Sequence, residues 1–339
     1  MSARVAIIGA GPAGCSAALR CGELGVPVVL FESGERYRDK PCGDALIESA
    51  IWHAQRFGLV RDRLQALGGR PFHEIQFGRI ESASPRRSWP CAGGWVISRA
   101  TFDQALRDAV SRTSEVRYGE SVAEVSPDGA GVNVRVSRSN GVGEHFRAAI
   151  LATGAASRLT KNLGMDGTPT HGVAFRGYVH GAERRSGLLV ELTSSPTGEY
   201  RWMFPGGTSA NVGACRLGHP LDKSKASSMA SLRSLAGGFG LTKLAGGVLP
   251  LWSGQGRKWH HPAGIVSCGD CAGLVNPMTG EGITAAFLSG EMAAYAVAMY
   301  LEDGNVRSLE QFSTQLGETF LETYTAHKGI VLSALASLD

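Results

Sequence analysis

The feature that most constrains the fold of this chain is a glycine-rich turn near its N-terminus. A short apolar run at 5–8 enters the sequence Gly-Ala-Gly-Pro-Ala-Gly at 9–14, and a helical pattern follows from about residue 13 to residue 24. A second apolar run at 26–31 ends at Glu32. In such a strand–turn–helix unit the glycines allow a tight turn, close approach of a pyrophosphate to the backbone, and packing of the helix on the strand. The sequence therefore predicts a dinucleotide site whose contacts in this turn are Gly9, Gly11, Pro12, Ala13 and Gly14.

The acidic residue at the end of the second strand indicates which dinucleotide this turn binds. Glu32 lies 18 residues after Gly14, at the place where a carboxylate accepts hydrogen bonds from ribose hydroxyls. A carboxylate there disfavours a 2′-phosphate, because like charges repel. The site therefore favours FAD or NAD over NADP.

A second motif, close to the other end of the chain, predicts further contacts with the same cofactor. Asp270 follows a predicted strand at 264–268, and a turn with the pattern Pro-x-x-Gly-x-Gly precedes a helix. A carboxylate at such a strand end can bind a ribityl hydroxyl, and the N–H groups at a helix N-terminus favour negative charge on a reduced ring. Together the two motifs predict non-covalently bound FAD. The contacts predicted in this part are Asp270, Pro277, Gly280, Gly282 and Ile283.

The remaining signals predict an α/β fold with a second sheet inserted into it. Another buried strand runs into Gly154, helical patterns cover 282–301 and 309–325 and begin again at Arg99, and a strand-rich stretch covers about 171–250. We predict a Rossmann-type FAD-binding domain with an inserted mixed or antiparallel β-sheet domain that binds the substrate. The FAD-binding domain is discontinuous and comprises 1–70, 96–170 and 255–339, and the substrate-binding domain comprises 71–95 and 171–254.

Composition and charge argue against several other classes of protein. The 339 residues are 43% hydrophobic, and their formal net charge of +4 is too small to indicate nucleic-acid binding. The seven cysteines are interpreted as reduced thiols, and no pair of CxxC motifs indicates a metal. The sequence shows neither a secretory signal nor an apolar run of the ~20 residues that span a membrane. We therefore expect a cytoplasmic protein without metal or transmembrane segment, for which peripheral contact with a membrane stays open.

Three further segments narrow the interpretation. Lys-Pro-Cys-Gly-Asp lies at 40–44, Tyr-Arg-Trp-Met-Phe-Pro lies at 200–205, and Gly-Val-Leu-Pro lies at 247–250. Together with the two cofactor motifs, they resemble the geranylgeranyl reductase family of FAD-dependent oxidoreductases, which have the para-hydroxybenzoate hydroxylase fold. The Tyr-x-Trp-x-Phe-Pro motif is the signal specific to that family, and the Cys-Gly segment of the family lies near the flavin ring.

The resemblance implies roles for individual side chains. Cys42 is expected beside the flavin ring with a part in catalysis, and its alternative interpretation is a small buried side chain. Tyr200, Trp202 and Phe204 alternate at strand spacing and therefore point to one face, where the resemblance implies an aromatic wall of the substrate pocket. An ordinary sheet core is the alternative for these three rings. The further predicted cofactor contacts are Cys42, Gly43, Arg99, Val122 and Gly154. Arg99 begins a helix and could reach the cofactor phosphates or the ring edge, and an ordinary solvated arginine is its alternative interpretation.

The reaction that the resemblance implies is reduction of a carbon–carbon double bond in an apolar substrate, such as a prenyl lipid. Electrons would come from NAD(P)H, another reductant or an electron-donor protein. A flavin-dependent monooxygenase acting on an apolar or aromatic metabolite is the main alternative, because it needs the same closed apolar pocket. A halogenase is disfavoured, since Tyr200 and Phe204 replace the Trp and Ile of the usual Trp-x-Trp-x-Ile-Pro motif. A flavin-binding protein without catalysis is the remaining alternative.

Overall fold

The computed structural model describes residues 4–80, 86–129, 131–138, 141–155, 158–165, 170–192, 199–217, 221–254 and 257–336. The strands are β1 (Val5–Ile8), β2 (Val28–Glu32), β3 (Ala45–Ile47), β4 (Arg70–Arg79), β5 (Arg87–Val96), β6 (Glu115–Tyr118), β7 (Val122–Asp128), β8 (Gly131–Val136), β9 (Glu144–Phe146), β10 (Ala148–Leu151), β11 (Thr170–Val179), β12 (Leu188–Leu192), β13 (Glu199–Pro205), β14 (Ala210–Leu217), β15 (Thr242–Leu251), β16 (His260–His261) and β17 (Ile265–Ser267). The helices are α1 (Pro12–Glu23), α2 (Glu48–Gln55), α3 (Arg61–Ala66), α4 (Arg99–Val110), α5 (Leu159–Asn162), α6 (Leu221–Ala236), α7 (Ile283–Asp303) and α8 (Arg307–Ala336).

The strands of the nucleotide-binding motif form the centre of a six-stranded sheet. Its order is β16-β17-β10-β1-β2-β6, and every neighbouring pair is parallel except β16 and β17. Val5 and Ile7 of β1 pack in the core on the helical side, and Ala6 and Ile8 pack in a second core that includes residues of β7, β8 and β9. Burial on both faces explains why this strand is a continuous apolar run. The predicted Rossmann-type arrangement is confirmed.

Helix α7 is the main helix on the core side of this sheet. It packs so closely on α1 that a Cβ added at Gly290 would lie 2.2 Å from the carbonyl oxygen of Ala13. By length and composition α7 is apolar enough to cross a membrane, but 61% of its most apolar window is buried inside the protein. Such burial is typical of a core helix. The last helix, α8, continues to Ala336, beyond the end at 325 that the sequence predicts.

The second sheet has eight strands in the order β15-β11-β14-β13-β12-β4-β5-β3. Its pairs are antiparallel except for β12 and β4, so it is the mixed sheet that the sequence predicts. Met203 and Val212 on one face pack with Ala236 of α6. Trp202 and Cys215 on the other face pack with Val275, in the segment that follows β17. This second face therefore lies toward the two cofactor motifs.

The six-stranded sheet is built from the predicted FAD-binding parts of the chain, and the eight-stranded sheet is built from the predicted substrate-binding parts. One strand is an exception. The short strand β3 pairs with β5 in the eight-stranded sheet, although it lies within 1–70. The chain thus crosses between the sheets already at about residue 44. The division into two domains itself stays a prediction.

Candidate functional site

The three glycines of the first turn have different surroundings. A Cβ added at Gly9, whose φ is +106°, would lie 2.3 Å from the carbonyl oxygen of Ala152, and one added at Gly14 would lie 1.8 Å from the carbonyl oxygen of Gly9. A Cβ added at Gly11 would meet nothing within 4 Å. No side chain caps the N-terminus of α1, so its first N–H groups are open to an anion. Gly9 and Gly14 therefore serve the turn, and Gly11 leaves room for a pyrophosphate.

The acidic residue after this turn is in the place that the sequence predicts. Glu32 is 4% exposed, and its Oε2 accepts a hydrogen bond from the backbone N–H of Ala10 at 3.1 Å. Its Oε1 accepts one from the N–H of Gly34 at 2.8 Å and lies 3.3 Å from Nη1 of Arg38. The carboxylate is therefore held beside the turn, at the end of β2, where a ribose would bind.

The second carboxylate lies between a lysine and a helix N-terminus. Asp270 belongs to the 3-10 turn Gly269–Ala272 after β17, and a Cβ added at Gly282 would lie 3.2 Å from its Oδ1. Its Oδ2 accepts a hydrogen bond from Nζ of Lys40 at 2.7 Å. Sequence reasoning missed this lysine, although it immediately precedes the Pro-Cys-Gly segment. Asp270 therefore contacts the segment at 40–44 through Lys40 and lies next to Gly282 at the N-terminus of α7.

Most backbone N–H groups of the turn at 276–282 are hydrogen-bonded within the turn itself, so N–H groups that face the cofactor stay a prediction for Gly282 and Ile283. Oδ1 of Asn276 accepts hydrogen bonds from the N–H groups of Met278 at 2.9 Å and Thr279 at 3.2 Å, and Gly280 takes a φ of +70°. Oε1 of Glu281 accepts one from Thr284 N–H at 2.7 Å, in the first turn of α7. Burial raises the pKa of this Glu281 carboxyl. Sequence analysis predicted the neighbours Pro277, Gly280, Gly282 and Ile283 but missed the two polar side chains that hold the turn.

The three aromatic side chains of β13 form one row on the sheet, as their alternation predicts. The ring centroids of Tyr200 and Trp202 are 5.8 Å apart, and those of Trp202 and Phe204 are 6.1 Å apart. The Tyr200 hydroxyl donates to the carbonyl oxygen of Thr279 at 2.6 Å, and a Cβ added at Gly43 would lie 3.0 Å from the Phe204 ring. The row therefore connects the turn at 276–282 with the Cys-Gly segment.

The middle ring of this row is buried more deeply than a pocket wall requires. Trp202 is 4% exposed, and its Nε1–H donates to Oδ1 of Asn211 at 2.9 Å. A Cβ added at Gly213 would lie 2.1 Å from this indole. Tyr200 and Phe204 are half-buried. The core interpretation therefore fits Trp202 better, and the pocket interpretation stays a prediction for its two neighbours.

The remaining predicted contacts lie around these segments. Arg99 is 3% exposed, and its Nε and Nη2 each donate to a carboxylate oxygen of Asp103 at 2.7 Å, so it is not the solvated arginine considered as an alternative. Burial raises the pKa of the Cys42 thiol, and the charge of Arg99 opposes that shift. Gly154 follows β10 with a φ of +76°, and Val122 packs against the core beneath the six-stranded sheet. Cofactor contacts of these residues stay predictions.

One buried arginine beside the first turn was not predicted. Arg107 of α4 is 2% exposed, and its Nη1 donates to the carbonyl oxygen of Ala10 at 3.3 Å. Its Nη2 donates to the carbonyl oxygen of Arg36 at 2.6 Å. Its Nε also donates to Oε1 of Gln104 at 3.3 Å, one turn earlier on the same helix. The two bonds to the carbonyl oxygens of Ala10 and Arg36 have no distinct sequence signal, because these acceptors are backbone atoms far away along the chain.

Known proteins resemble this chain in both sequence and fold. The sequence profile of the pyridine nucleotide-disulphide oxidoreductase family matches residues 3–186. The chain is 30% identical over 317 residues to a menaquinone reductase of Mycobacterium tuberculosis, covering 86% of this chain and 76% of that protein. It is 27% identical over 355 residues to digeranylgeranylglycerophospholipid reductase 1 of Methanopyrus kandleri, covering 99% and 91% of the two chains.

A solved structure shows that the fold extends over the whole chain. The geranylgeranyl bacteriochlorophyll reductase-like protein from Thermoplasma acidophilum superimposes with a TM-score of 0.85 at 19% identity, over 99% of this chain and 89% of that chain. Open space at Gly11, an uncapped helix and two placed carboxylates fit the pyrophosphate, ribose and ribityl parts of FAD. The chain therefore belongs to the pyridine nucleotide-disulphide oxidoreductase family and is an FAD-dependent reductase of the geranylgeranyl reductase type.

Proposed function

We propose that this enzyme reduces a carbon–carbon double bond in the isoprenoid chain of an apolar substrate. In the overall reaction a hydride and a proton add across the double bond, and the electron donor, which is NAD(P)H or a donor protein, loses two electrons. Bound FAD supplies the two-electron chemistry between the donor and the substrate. The residues proposed to hold FAD are those of the first turn, Glu32, Asp270 and the turn at 276–282.

The observation that carries this proposal is the apolar face of the eight-stranded sheet that lies between the turn at 276–282 and the Cys-Gly segment. Tyr200 lies opposite Cys215 of β14, which lies opposite Ala174 of β11, which in turn lies opposite Gly247 of β15. Residues directly opposite each other in a sheet share a face. A Cβ added at Gly247 would meet no atom within 4 Å. Cys215 is buried against Val275, so the open part of this face lies at the half-buried Ala174 and the exposed Gly247. Small residues and open space there, beside an aromatic row, suit an extended apolar chain, and such a surface excludes water from the reacting bond.

The names of the relatives support the same substrate class. Menaquinone and digeranylgeranylglycerophospholipid are the compounds in two of those names. Each compound carries an unsaturated isoprenoid chain, and their polar head groups differ. We therefore propose that the enzyme recognises the isoprenoid chain, and that it acts in the cytoplasm or at a membrane surface where such substrates are found. Direct reaction with NAD(P)H and transfer from an electron-donor protein are both compatible with the site.

The test is product analysis with the purified, FAD-loaded protein. Menaquinone with an unsaturated tail, geranylgeranyl diphosphate and a digeranylgeranyl ether phospholipid are each incubated with NADH, NADPH or dithionite in the absence of oxygen. Mass spectrometry showing gain of two hydrogen atoms in the isoprenoid chain is the expected result. A product that forms only in air and gains one oxygen atom would instead support a monooxygenase, and a product that requires chloride or bromide would support a halogenase.

Two phenylalanines on the same sheet provide a matched pair of variants. Phe204 lies on the face proposed to bind the substrate, and Phe175 of β11 points to the opposite face, because side chains alternate along a strand. Both are half-buried. We expect Phe204→Leu to change turnover or the number of double bonds reduced, and Phe175→Leu to leave both unchanged. Equal effects of the two variants would argue against this face as the substrate site.

A further inference from the structure

A short segment at 39–44, here called the strap, connects the two large sheets. Nη2 of the buried Arg176 donates to Oδ2 of Asp39 at 2.6 Å, which holds the start of the strap against β11. Nζ of Lys40 donates to Asp270 on the cofactor side. Asp44 forms the end of the strap, immediately before β3 of the eight-stranded sheet. The strap therefore carries Cys42 and Gly43 between the proposed cofactor site and the proposed substrate face.

The backbone of Asp44 is in a conformation that side chains rarely adopt. Its φ is +66°, in the left-handed region that favours glycine. Holding a non-glycine residue there costs on the order of 1 kcal/mol and persists only where the surroundings demand it. The preceding residue, Gly43, is confined by Trp202 and Phe204, since a Cβ there would come within 3.3 Å of both side chains. Aspartate is one of the few non-glycine residues that tolerate this region, and the contacts of its carboxylate hold it there.

Those contacts join three separate elements. Asp44 is 2% exposed, and its Oδ2 accepts hydrogen bonds from the Tyr178 hydroxyl at 2.6 Å and from Nδ2 of Asn211 at 2.8 Å. Its Oδ1 accepts one from the backbone N–H of Arg99 at 3.3 Å. The carboxylate thus binds β11, β14 and the first residue of α4 at once. Buried hydrogen bonds to a charged acceptor are stronger than neutral ones.

Asn211 extends this arrangement to the Cys-Gly segment and to the aromatic row. Its Nδ2 also donates to the carbonyl oxygen of Cys42 at 2.8 Å, and its Oδ1 accepts from Trp202 Nε1–H. Both ends of the amide are used, so its orientation is determined by its partners. Asp44 and Asn211 therefore hold the strap and the Trp202 indole in one fixed arrangement.

We propose that Asp44 is a positioning residue that locks the Cys42–Gly43 turn between the cofactor and the substrate face. It acts through the strap and does not itself contact the reacting atoms. The purpose of this lock rests on the proposed function, whereas the lock itself rests only on the contacts described above. Loss of the carboxylate should therefore release the strap without dismantling either sheet.

The first test measures the alkylation rate of Cys42 against that of Cys91. These are the two cysteines that are not fully buried, so Cys91 in β5 is an internal reference within the same chain. Iodoacetamide labelling followed by peptide mass spectrometry is carried out on the apoprotein and the FAD-loaded protein. We expect Asp44→Gly to raise the ratio of the Cys42 rate to the Cys91 rate by about ten-fold or more, the factor that one or two charged hydrogen bonds are worth. Tyr178→Phe should give a smaller rise.

The choice of variants separates locking from folding. Asp44→Gly removes the carboxylate but relieves the strained φ, so the melting temperature should change little. If Asp44→Gly does not fold, Asp44→Asn, which keeps the shape but places an amide against two donors, and Tyr178→Phe carry the same test. Tyr295→Phe, at a half-exposed position on α7, is the matched tyrosine control and should leave the ratio unchanged. An unchanged ratio in folded Asp44 and Tyr178 variants would overturn the proposal.

The second test is the division of the kinetic effect. A misplaced strap should lower kcat with little change in KM, because the reacting groups are misaligned while the substrate face is intact. A rise in KM alone, with kcat unchanged, would contradict the proposed role. The labelling experiment needs no turnover. A released strap in the variants, together with a wild-type protein that reduces none of the isoprenoid substrates, would therefore refute the proposed function and leave the lock standing.

Discussion

Gly11 and Gly14 lie in the same turn, but their side-chain positions face different surroundings. Gly11 has an extended backbone, with φ −81° and ψ −173°, that any residue adopts, and a Cβ there meets nothing within 4 Å. We expect Gly11→Val to fold with a nearly unchanged melting temperature as apoprotein and to lose FAD, because the valine occupies the path of the pyrophosphate. Flavin absorbance after reconstitution and thermal melting of the apoprotein measure the two effects.

Gly14→Ala is the contrasting change in the same turn. Its methyl group would lie 1.8 Å from the carbonyl oxygen of Gly9, so the helix and the turn must move apart. We expect this smaller substitution to lower the stability of the apoprotein by about 1–3 kcal/mol, as overpacking does. A stable, FAD-free Gly14→Ala protein together with an FAD-loaded Gly11→Val protein would show that the roles of the two glycines are assigned the wrong way round.

Because the carboxyl of Asp44 is buried, we expect the stability of the protein to depend on pH. Burial raises its pKa from 3.8 to about 6, although hydrogen bonds from Tyr178 and Asn211 and the charges of Arg176 and Arg99 oppose that shift. The folded protein then binds this proton more tightly than the unfolded chain does. The free energy of unfolding should therefore fall as the pH rises from about 4 to about 6 and stay lower above that range.

Asp44→Asn isolates this contribution. We expect the wild-type protein to lose roughly 1–3 kcal/mol more than the variant between about pH 4 and pH 7, since each pKa unit is worth about 1.4 kcal/mol. Urea unfolding at several pH values measures the difference, and other titrating groups cancel in the comparison. Parallel curves for the two proteins would mean that Asp44 keeps an ordinary pKa.

At the scale of elements, helix α8 holds the cofactor turn from outside. The Tyr324 hydroxyl donates to the carbonyl oxygen of Leu274, and Nδ1 of His327 lies 2.6 Å from Nδ2 of Asn276. Because Oδ1 of Asn276 already accepts two backbone N–H groups, its Nδ2 is the donor and His327 accepts. The turn at 276–282 is therefore shaped by a side chain that α8 orients.

Removal of the Asn276 side chain should weaken the binding of FAD and leave the fold intact. We expect Asn276→Ala to lower the affinity for FAD by about ten- to a hundred-fold, because two N–H groups of the turn lose their acceptor. Asn305→Ala is the matched control: Asn305 accepts the N–H of Arg307 at 3.0 Å in the loop between α7 and α8. Titration of apoprotein with FAD compares the two variants, and equal losses would assign the effect to general stability.

At the scale of the whole molecule, the chain crosses repeatedly between the two large sheets. Along the chain, β3, β4 and β5 of the eight-stranded sheet come between β2 and β6 of the six-stranded sheet. The strap binds residues on both sides, namely Arg176 and Asp270. We therefore expect the apoprotein to unfold in one thermal transition that FAD shifts upward as a whole, since a ligand of the folded state stabilises everything that unfolds with it. Calorimetry with and without FAD tests this, and two transitions of which FAD moves only one would contradict it.

The sequence by itself determined the parts of the site that depend on neighbours along the chain. The glycine spacing at 9–14, Glu32 at the end of β2 and the turn before α7 are all found where the sequence predicts them. The alternation of Tyr200, Trp202 and Phe204 likewise predicted that they share a face. These features follow from local backbone geometry, namely tight turns, helix N-termini and the two-residue period of a strand.

The tertiary structure alone decided which distant groups meet. Lys40 pairs with Asp270 across 230 positions, and Asp44 meets Tyr178 across 134 positions. No periodicity encodes such pairs, because they depend on the strand order of the two sheets and on where the strap crosses between them. The depth of Trp202 was also undecidable from its strand, since the close approach at Gly213 lies on the neighbouring strand. Local patterns specify what each segment becomes, and packing of segments far apart in the chain specifies what each side chain touches.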